Sequence, residues 1–470
     1  MQDVSRDGDF SVNPISEPTG HLRRCLDNRH IQLISIGGAI GTGLFMGSGK
    51  IISMAGTSIV LVYAIIGFFL FFVMRAMGEM LLSDLRYKSF ADIVAHYLGA
   101  KAGFMLSWSY WLTWTVAAVG DVIVVAGFFQ FWYPEVPTWL LAFATLFLLI
   151  GINMLATRIF GEVEFWCAII KIVAIVLLIV VALFMIATSF TSPNGVVASF
   201  SHMATPGAIL PNGLSGFFAG FQMAIFSFGG SELIGAAAAE TKNPEKALPK
   251  AINRIPVRIL LFYILSLVCI ISVMSWAQVP ADRSPFVELF IMVGFPAAAG
   301  MINFVVLTSA ASSGNSGVFS GSRMLFGLAE RSNAPRNFSR LSFSGVPVQA
   351  LMFSAVVMVV GVGLLMLIPE IMTAFMLVST ISAVLIIFTW SMILISYIAY
   401  RHKNPVANKT SNFKMPGGVV MAVLALIFLF FVLGLLSLKE DTRTALFCLP
   451  IWFAFLLFMY GRFKKRLSRK

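Results

Sequence analysis

Ile34-Ser35-Ile36-Gly37-Gly38-Ala39-Ile40-Gly41-Thr42-Gly43-Leu44-Phe45 lies inside an apolar run, residues 31–53, long enough to cross a bilayer as a helix. Four Gly among the seven residues 37–43 make a poor helix interior, because each Gly costs about 1 kcal/mol relative to Ala. A second stretch repeats the pattern. Phe226-Ser227-Phe228-Gly229-Gly230-Ser231-Glu232 places a Gly pair and an acidic residue in the middle of the run 213–239. Irregular backbone at that depth persists only where protein or a water-filled cavity satisfies its polar groups. The two stretches predict two interrupted membrane helices that face an internal site.

The composition puts these breaks in a membrane. Of 470 residues, 59% are hydrophobic and 11% charged, whereas soluble domains average about 45–50% and about 25%. Apolar runs occur near 31–53, 58–80, 103–132, 139–156, 162–188, 213–239, 259–277, 296–328, 348–368, 371–398, 418–437 and 445–462. Stretches such as Ile172–Leu183 are apolar at every position, unlike the alternating strands of a membrane barrel. The expected fold is an all-α integral membrane protein with twelve transmembrane helices.

The net charge of +12 then reports orientation. Of the 33 Lys and Arg, 26 fall in the two tails and the loops on their side of the membrane, and three in the loops opposite. Short cytoplasmic loops carry the positive charge, so both termini are expected in the cytoplasm, and no nucleic-acid partner is needed to explain the charge. Residues 1–20 read as a disordered cytoplasmic tail, with no cleavable signal peptide before the first apolar run. Cys25, Cys167, Cys269 and Cys448 read as small hydrophobes. The five scattered His show no metal-ligand spacing and no catalytic centre, so neither cofactor nor enzyme activity is expected.

Spans one and six open two sets of five, about 31–188 and 213–398. An odd number per set gives the second set the opposite polarity in the membrane. Corresponding broken helices in inverted halves mark a secondary transporter with its site at the breaks. The expected organisation is a ten-helix transport core over 21–400, then two helices and a basic tail over 401–470. A half-helix starting after Thr42 and Gly43 offers free N–H groups and a positive dipole end to a carboxylate. A half-helix ending near Phe226–Phe228 leaves unpaired carbonyls for an ammonium. Together they describe a zwitterion receptor without a charged side chain in contact with its ligand. Nucleotide motifs do not fit: Gly41-Thr42-Gly43 misses the G-x-G-x-x-G spacing, and Gly49-Lys50 lacks the rest of a P-loop. Gly317-x-x-x-Gly321 reads as close helix packing.

Ionisable residues inside spans are functional candidates. Asp121, about 16 Å from the outer end of span three, Lys171, about 14 Å from the inner end of span five, and Glu232 after the second break are candidates to carry or gate a proton. The competing reading is a static buried ion pair holding the broken helices together. Arg75 and Glu79 are expected to pair as i,i+4 neighbours. Trp108, Trp111 and Trp114 form one aromatic stripe, read as packing, on a span that borders the site. Trp132, Tyr133, Trp139 and Trp276 read as interface anchors. Ser284–Phe290 begins like an N-capped external helix, a candidate lid, and Ser309–Ser322 gives span eight a polar face.

Arg29–Phe45, Glu162–Lys171 (EVEFWCAIIK), Ala239–Pro244 and Ser284–Phe290 resemble segments of the amino acid permeases of the amino acid–polyamine–organocation superfamily. Within it, Ile302–Ser320 with Arg323–Ala329 is most similar to bacterial D-serine/D-alanine/glycine transporters. The resemblance covers nearly all of the chain after residue 20. It implies the leucine-transporter fold, two inverted five-helix repeats plus two helices, and proton-coupled import of small neutral amino acids across the bacterial inner membrane. It also implies site residues. Ile40, Gly41, Thr42 and Gly43 stand where the family holds the substrate carboxylate. Phe226 stands at the aromatic gate, with Ser227, Gly229 and Gly230 lining the break beside the amine. Lys171 matches a lysine that some relatives use in place of a coupling sodium, and Asp121 falls where several relatives carry Glu. The partners implied are an amino acid substrate, protons and the lipid bilayer. Two alternatives stay open: an amino acid/polyamine antiporter, and a sensor of the same fold that binds without transporting.

Overall fold

The computed structural model describes residues 40–467 except 88, 156, 194, 237–242, 293–295 and 406–410. Gly37, Gly38, the tail through residue 20 and Cys25 lie outside the described residues. The described chain is helical, with one isolated bridge, Thr191 to Val197, as its extended element. Each of the twelve apolar runs contains helix over its described residues.

The first run holds α1 (Thr42–Phe45) and α2 (Gly47–Ala55), and a 3₁₀ turn at Gly56–Ser58 leads to α3 (Ile59–Ser83). A short helix α4 (Phe90–Leu98), N-capped by a Ser89–Asp92 capping box, precedes α5 (Ala100–Phe129). Then come α6 (Thr138–Met154) and α7 (Thr157–Ala187). The second broken run gives α8 (Gly213–Phe228) and α9 (Leu233–Ala236), followed by α10 (Pro244–Asn253), α11 (Ile255–Arg258) and α12 (Ser266–Val273). A π-helical turn, Ile259–Leu265, joins α11 to α12. The remainder is α13 (Pro285–Met292), α14 (Pro296–Glu330), α15 (Val348–Val362), α16 (Ile371–Lys403), α17 (Gly418–Leu436) and α18 (Glu440–Leu467).

Among the described residues, eight helical stretches are long and apolar enough to cross a membrane, the first being the bent stretch 47–83; α6 and α8 are shorter apolar helices. Apolar side chains cover the outside as well as the core. Val173, Leu177, Val180 and Phe184 on α7, and Phe447, Ile451, Phe455 and Phe458 on α18, are exposed. In water such surface would be costly; against lipid tails it is not. Trp132, Tyr133 and Trp139 are also exposed, as membrane-interface anchors require.

The site is positioned by α5, α14 and α16, which pack around the two breaks. Small residues let α14 approach α5. A Cβ on Gly317 would stand 2.8 Å from Ala118 Cβ, and one on Gly314 would stand 3.3 Å from Asp121 Cβ. Gly317-x-x-x-Gly321 is therefore a packing seam, as its spacing predicts. Gly49 is explained by packing too, since a Cβ there would meet the Arg283 and Pro280 carbonyls at 2.6 and 2.8 Å.

Two expectations are corrected. Arg75 and Glu79 do not pair. Glu79, fully buried, accepts from Arg401 Nη1 at 3.0 Å, Tyr397 Oη at 2.9 Å and the Met415 N–H at 2.6 Å. Arg75 donates to Asn253 Oδ1 at 2.9 Å and to the Lys414 carbonyl, with its guanidinium 3.8 Å from the Phe413 ring centre. Partners more than 300 residues away in sequence displace the i,i+4 neighbour, because a buried carboxylate collects several donors where a helix surface offers one. The helix α13 is present, but the Ser284 hydroxyl is buried with no hydrogen-bond partner among the described residues and does not cap it.

Candidate functional site

The two breaks meet. Helix α1 starts at Thr42 with Gly41 extended before it (φ −127°, ψ −163°), and Met46 interrupts the path into α2. The start lies two residues earlier than the expectation, so Thr42 and Gly43 are themselves first-turn donors without an intrahelical acceptor. Helix α8 ends at Phe228, and Gly230 takes φ +97°, a conformation that side-chain-bearing L residues rarely adopt. The contact between the breaks is backbone on backbone. A Cβ on Gly43 would lie 2.6 Å from Ser227 Cα and 2.9 Å from its N.

Between the breaks lies a cavity of about 40 Å³, lined by Gly41, Thr42, Gly43, Phe226, Ser227, Gly229 and Gly230 from the breaks. Asp121, Thr113, Trp114 and Ala117 of α5, Glu232, Ser313 of α14 and Ile386 of α16 complete the wall. Thr42 Oγ1 donates to Asp121 Oδ1 at 2.6 Å, which ties the first break to α5. Glu232 accepts from the Gly230 N–H at 3.3 Å and from Trp390 Nε1 at 3.4 Å. It is held by hydrogen bonds from its own break and α16, and no salt bridge to it is present among the described residues. Phe226 packs edge-on against Phe375, with ring centres 5.7 Å apart.

Three sequence-based expectations change here. The carbonyls ending α8 are not free: Phe226 O accepts from the Gly229 N–H at 3.0 Å and Ser227 O from Tyr263 Oη at 3.0 Å. Phe228 O accepts from the Ser231 N–H and hydroxyl. Tyr263 arrives from the π-helical turn, and such turns often re-aim a side chain at a site. Phe226 O and Ser227 O each keep a second lone pair. Secondly, two carboxyl side chains, Asp121 and Glu232, line the cavity, so the receptor is not built from backbone alone. Thirdly, the Trp stripe divides. Trp108 and Trp111 donate to the Asn333 carbonyl at 3.2 Å and Ser354 Oγ at 3.0 Å, away from the cavity, whereas Trp114 lines it. The Trp114 indole N–H is buried without a hydrogen-bond partner among the described residues.

Ile40 and Lys171 do not line the cavity, although both are buried. Lys171 stands behind the wall, within electrostatic reach of Asp121 and of Glu164. Glu164 is fully buried on α7, with both carboxylate oxygens 2.9 Å from Ser312 Oγ. Sequence reading passed over Glu164, and its signal was there: seven residues before Lys171 is the same helix face. Ser313 was foreshadowed by the polar face of span eight. Thr113, Ala117 and Ile386 carry no signal that separates them from core residues. Among the described residues, no cluster of His, Cys, Asp and Glu is arranged to hold a metal ion.

This is an internal site at paired helix breaks in a multi-pass membrane protein. A model of the amino acid permease family matches residues 30–470, and the chain belongs to that family. It is a transporter and not an enzyme. The chain is 55% identical over 92% of its length to the D-serine/D-alanine/glycine transporter of Escherichia coli K12, covering 92% of that protein. It is 46% identical to the amino-acid permease AapA of Bacillus subtilis, over 93% of this chain and 94% of the relative. To the aromatic amino acid transport protein AroP of Escherichia coli O6:H1 it is 39% identical, over 92% and 93%.

Proposed function

We propose that this permease imports small neutral amino acids, D-serine, D-alanine and glycine, together with protons across the bacterial inner membrane by alternating access. In this reading the chain crosses the membrane twelve times, with both termini cytoplasmic and the ten-helix core over 21–400 arranged as inverted repeats. The observation that carries the substrate class is the cavity. First-turn N–H groups of Thr42 and Gly43 face a carboxylate, while spare lone pairs of Phe226 O and Ser227 O and the carboxyls of Asp121 and Glu232 suit an ammonium. With about 40 Å³ of space, enough for about three water molecules, and Trp114, Phe226 and Ile386 on its wall, it favours the smallest side chains. The name of the 55% identical relative agrees with this size.

Proton coupling rests on Asp121, whose carboxylate accepts from Thr42 at the first break, and on Lys171 behind it. One net charge moving inward across 100 mV gains about 2.3 kcal/mol, enough to concentrate a neutral substrate about fiftyfold. The test is uptake of labelled D-alanine, glycine and L-phenylalanine into proteoliposomes, with and without an imposed pH gradient. Gradient-driven accumulation of the first two and exclusion of the third is expected. Uptake that needs internal amino acid and ignores the gradient would instead identify an exchanger, and binding without uptake a sensor. Lys171→Ala is expected to remove the response to the gradient; full accumulation by that variant refutes the coupling role.

Trp114 sets the size limit in this reading. Trp114→Ala removes an indole from the wall and is expected to let L-phenylalanine compete for glycine uptake, read as inhibition in a mixed-substrate assay. Unchanged exclusion of L-phenylalanine would place the size limit elsewhere.

A further inference from the structure

Behind the cavity a buried polar seam runs between α6, α7 and α14, away from the substrate. Glu164 and Lys171 share one face of α7, two turns apart, about 10 Å of rise. Side chains on a helix lean toward its N-terminus, so Lys171 leans toward Glu164, and Lys171 interacts electrostatically with both Glu164 and Asp121. All three residues are at least 97% buried. On α14, Ser312 donates to Glu164, and its neighbour Ser313 lines the substrate cavity with Asp121. The seam extends past Glu164. Asn153 Nδ2, at the end of α6, donates to Asn315 Oδ1 at 2.7 Å. Asn153 Oδ1, Asn315 Nδ2 and Ser316 Oγ are buried with no hydrogen-bond partner among the described residues. Buried polar atoms of this kind are satisfied by ordered water. Donors and acceptors are thus left over along the seam that holds a buried carboxylate.

We propose that Glu164 is the second proton station of the transporter, receiving through Lys171 the proton that enters with substrate at Asp121 and releasing it along the Asn153–Asn315–Ser316 seam. This rests on the proton-coupled reading above and adds a residue and a direction to it. The Lys171 ammonium passes a proton to the Glu164 carboxylate, leaving a neutral carboxyl and an amine. The amine takes the proton of protonated Asp121, which becomes a carboxylate, and is an ammonium again. Glu164 then yields the proton to water, so Lys171 and Glu164 end as they began and Asp121 is left a carboxylate ready for the next proton. The ionisable groups facing Glu164 are Lys171 and Cys167 on its own helix and Asp121 on α5. From α14 it faces the hydroxyls of Ser312 and Ser316.

The seam separates two activities. Exchange of internal for external substrate needs no net proton release, whereas accumulation does. With one proton per substrate, a gradient of one pH unit sustains about tenfold accumulation, since one pH unit is a factor of ten in free proton. Purified full-length protein in liposomes is assayed for labelled glycine exchange and for accumulation under that gradient. Glu164→Gln is expected to keep exchange within about twofold of the unsubstituted protein while its accumulation ratio falls from about ten to about one. Ser312→Ala, which keeps the carboxylate but removes its donor, is expected to shift the pH dependence of accumulation and not that of exchange. Glu164→Gln with full accumulation overturns the proposal. So does equal loss of exchange and accumulation in both variants, which marks a structural role. If the unsubstituted protein itself ignores the gradient, proton coupling falls as a whole, a result distinct from failure of Glu164 alone.

Discussion

Gly43→Ala is expected to lower glycine and D-alanine uptake about a hundredfold, the scale of loss that a displacement near 1 Å brings to a preorganised site. The added Cβ would lie 2.6 Å from both Ser227 Cα and Ser227 Oγ, and 2.9 Å from Ser227 N. Two of those atoms are backbone, so no rotamer change relieves the contact; the two breaks must move apart. Overpacking of this kind typically costs about 1–3 kcal/mol. The displaced groups are the first-turn donors of α1 and the end of α8, which form opposite walls of the cavity. The Ser227 hydroxyl is committed as well, donating to Met223 O at 2.8 Å and hydrogen-bonded to Tyr63 Oη at 3.0 Å. Gly151→Ala is the control, because a Cβ there meets nothing within 4 Å. Uptake and glycine-dependent thermal stabilisation are measured for both variants. Normal transport by Gly43→Ala would remove the paired breaks as the site.

Glu79→Ala is expected to destabilise the protein by about 3–5 kcal/mol, the usual consequence of removing one partner from a buried ion pair. Arg401 is left with its side chain only 24% exposed, and Tyr397 and the Met415 N–H lose their acceptor. Thermal unfolding in detergent reads the loss. A double-mutant cycle then identifies the true partner: coupling between Glu79 and Arg401 is expected to exceed about 1 kcal/mol, and coupling between Glu79 and Arg75 to fall below about 0.5 kcal/mol. Strong coupling to Arg75 would restore the i,i+4 pair that local spacing suggests. The contacts of Glu79 and Arg75 join α3, α10, α16 and the 413–415 segment at the end of the bundle that carries the basic loops. A second, wider cavity of about 430 Å³ is bounded by Met46, Phe128, Arg283, Glu288 and Ile371.

The pattern of legible and hidden features follows from the range of the interactions involved. Apolar run length, Gly clustering and the distribution of Lys and Arg are properties of the chain itself. They are read by the bilayer before any helix meets another. Class, helical content, the two breaks and most of the cavity-lining residues on them were therefore visible in Gly41–Gly43 and Phe226–Gly230. Partner choice was not. Glu79 selects Arg401 over Arg75, and Trp114 enters the cavity while Trp108 and Trp111, on the same helix, hydrogen-bond elsewhere. The carbonyls of Phe226–Phe228 are claimed by donors that include Tyr263, placed by a π-helical turn. Glu164 gains its meaning only when α14 brings Ser312 against it. Sequence alone determined that this is a helical membrane protein with two glycine breaks, because those signals are local and compositional. Tertiary structure decided which carboxyl groups share the cavity, which donors each one meets and how small that cavity is, because each depends on atoms brought together from distant parts of the chain.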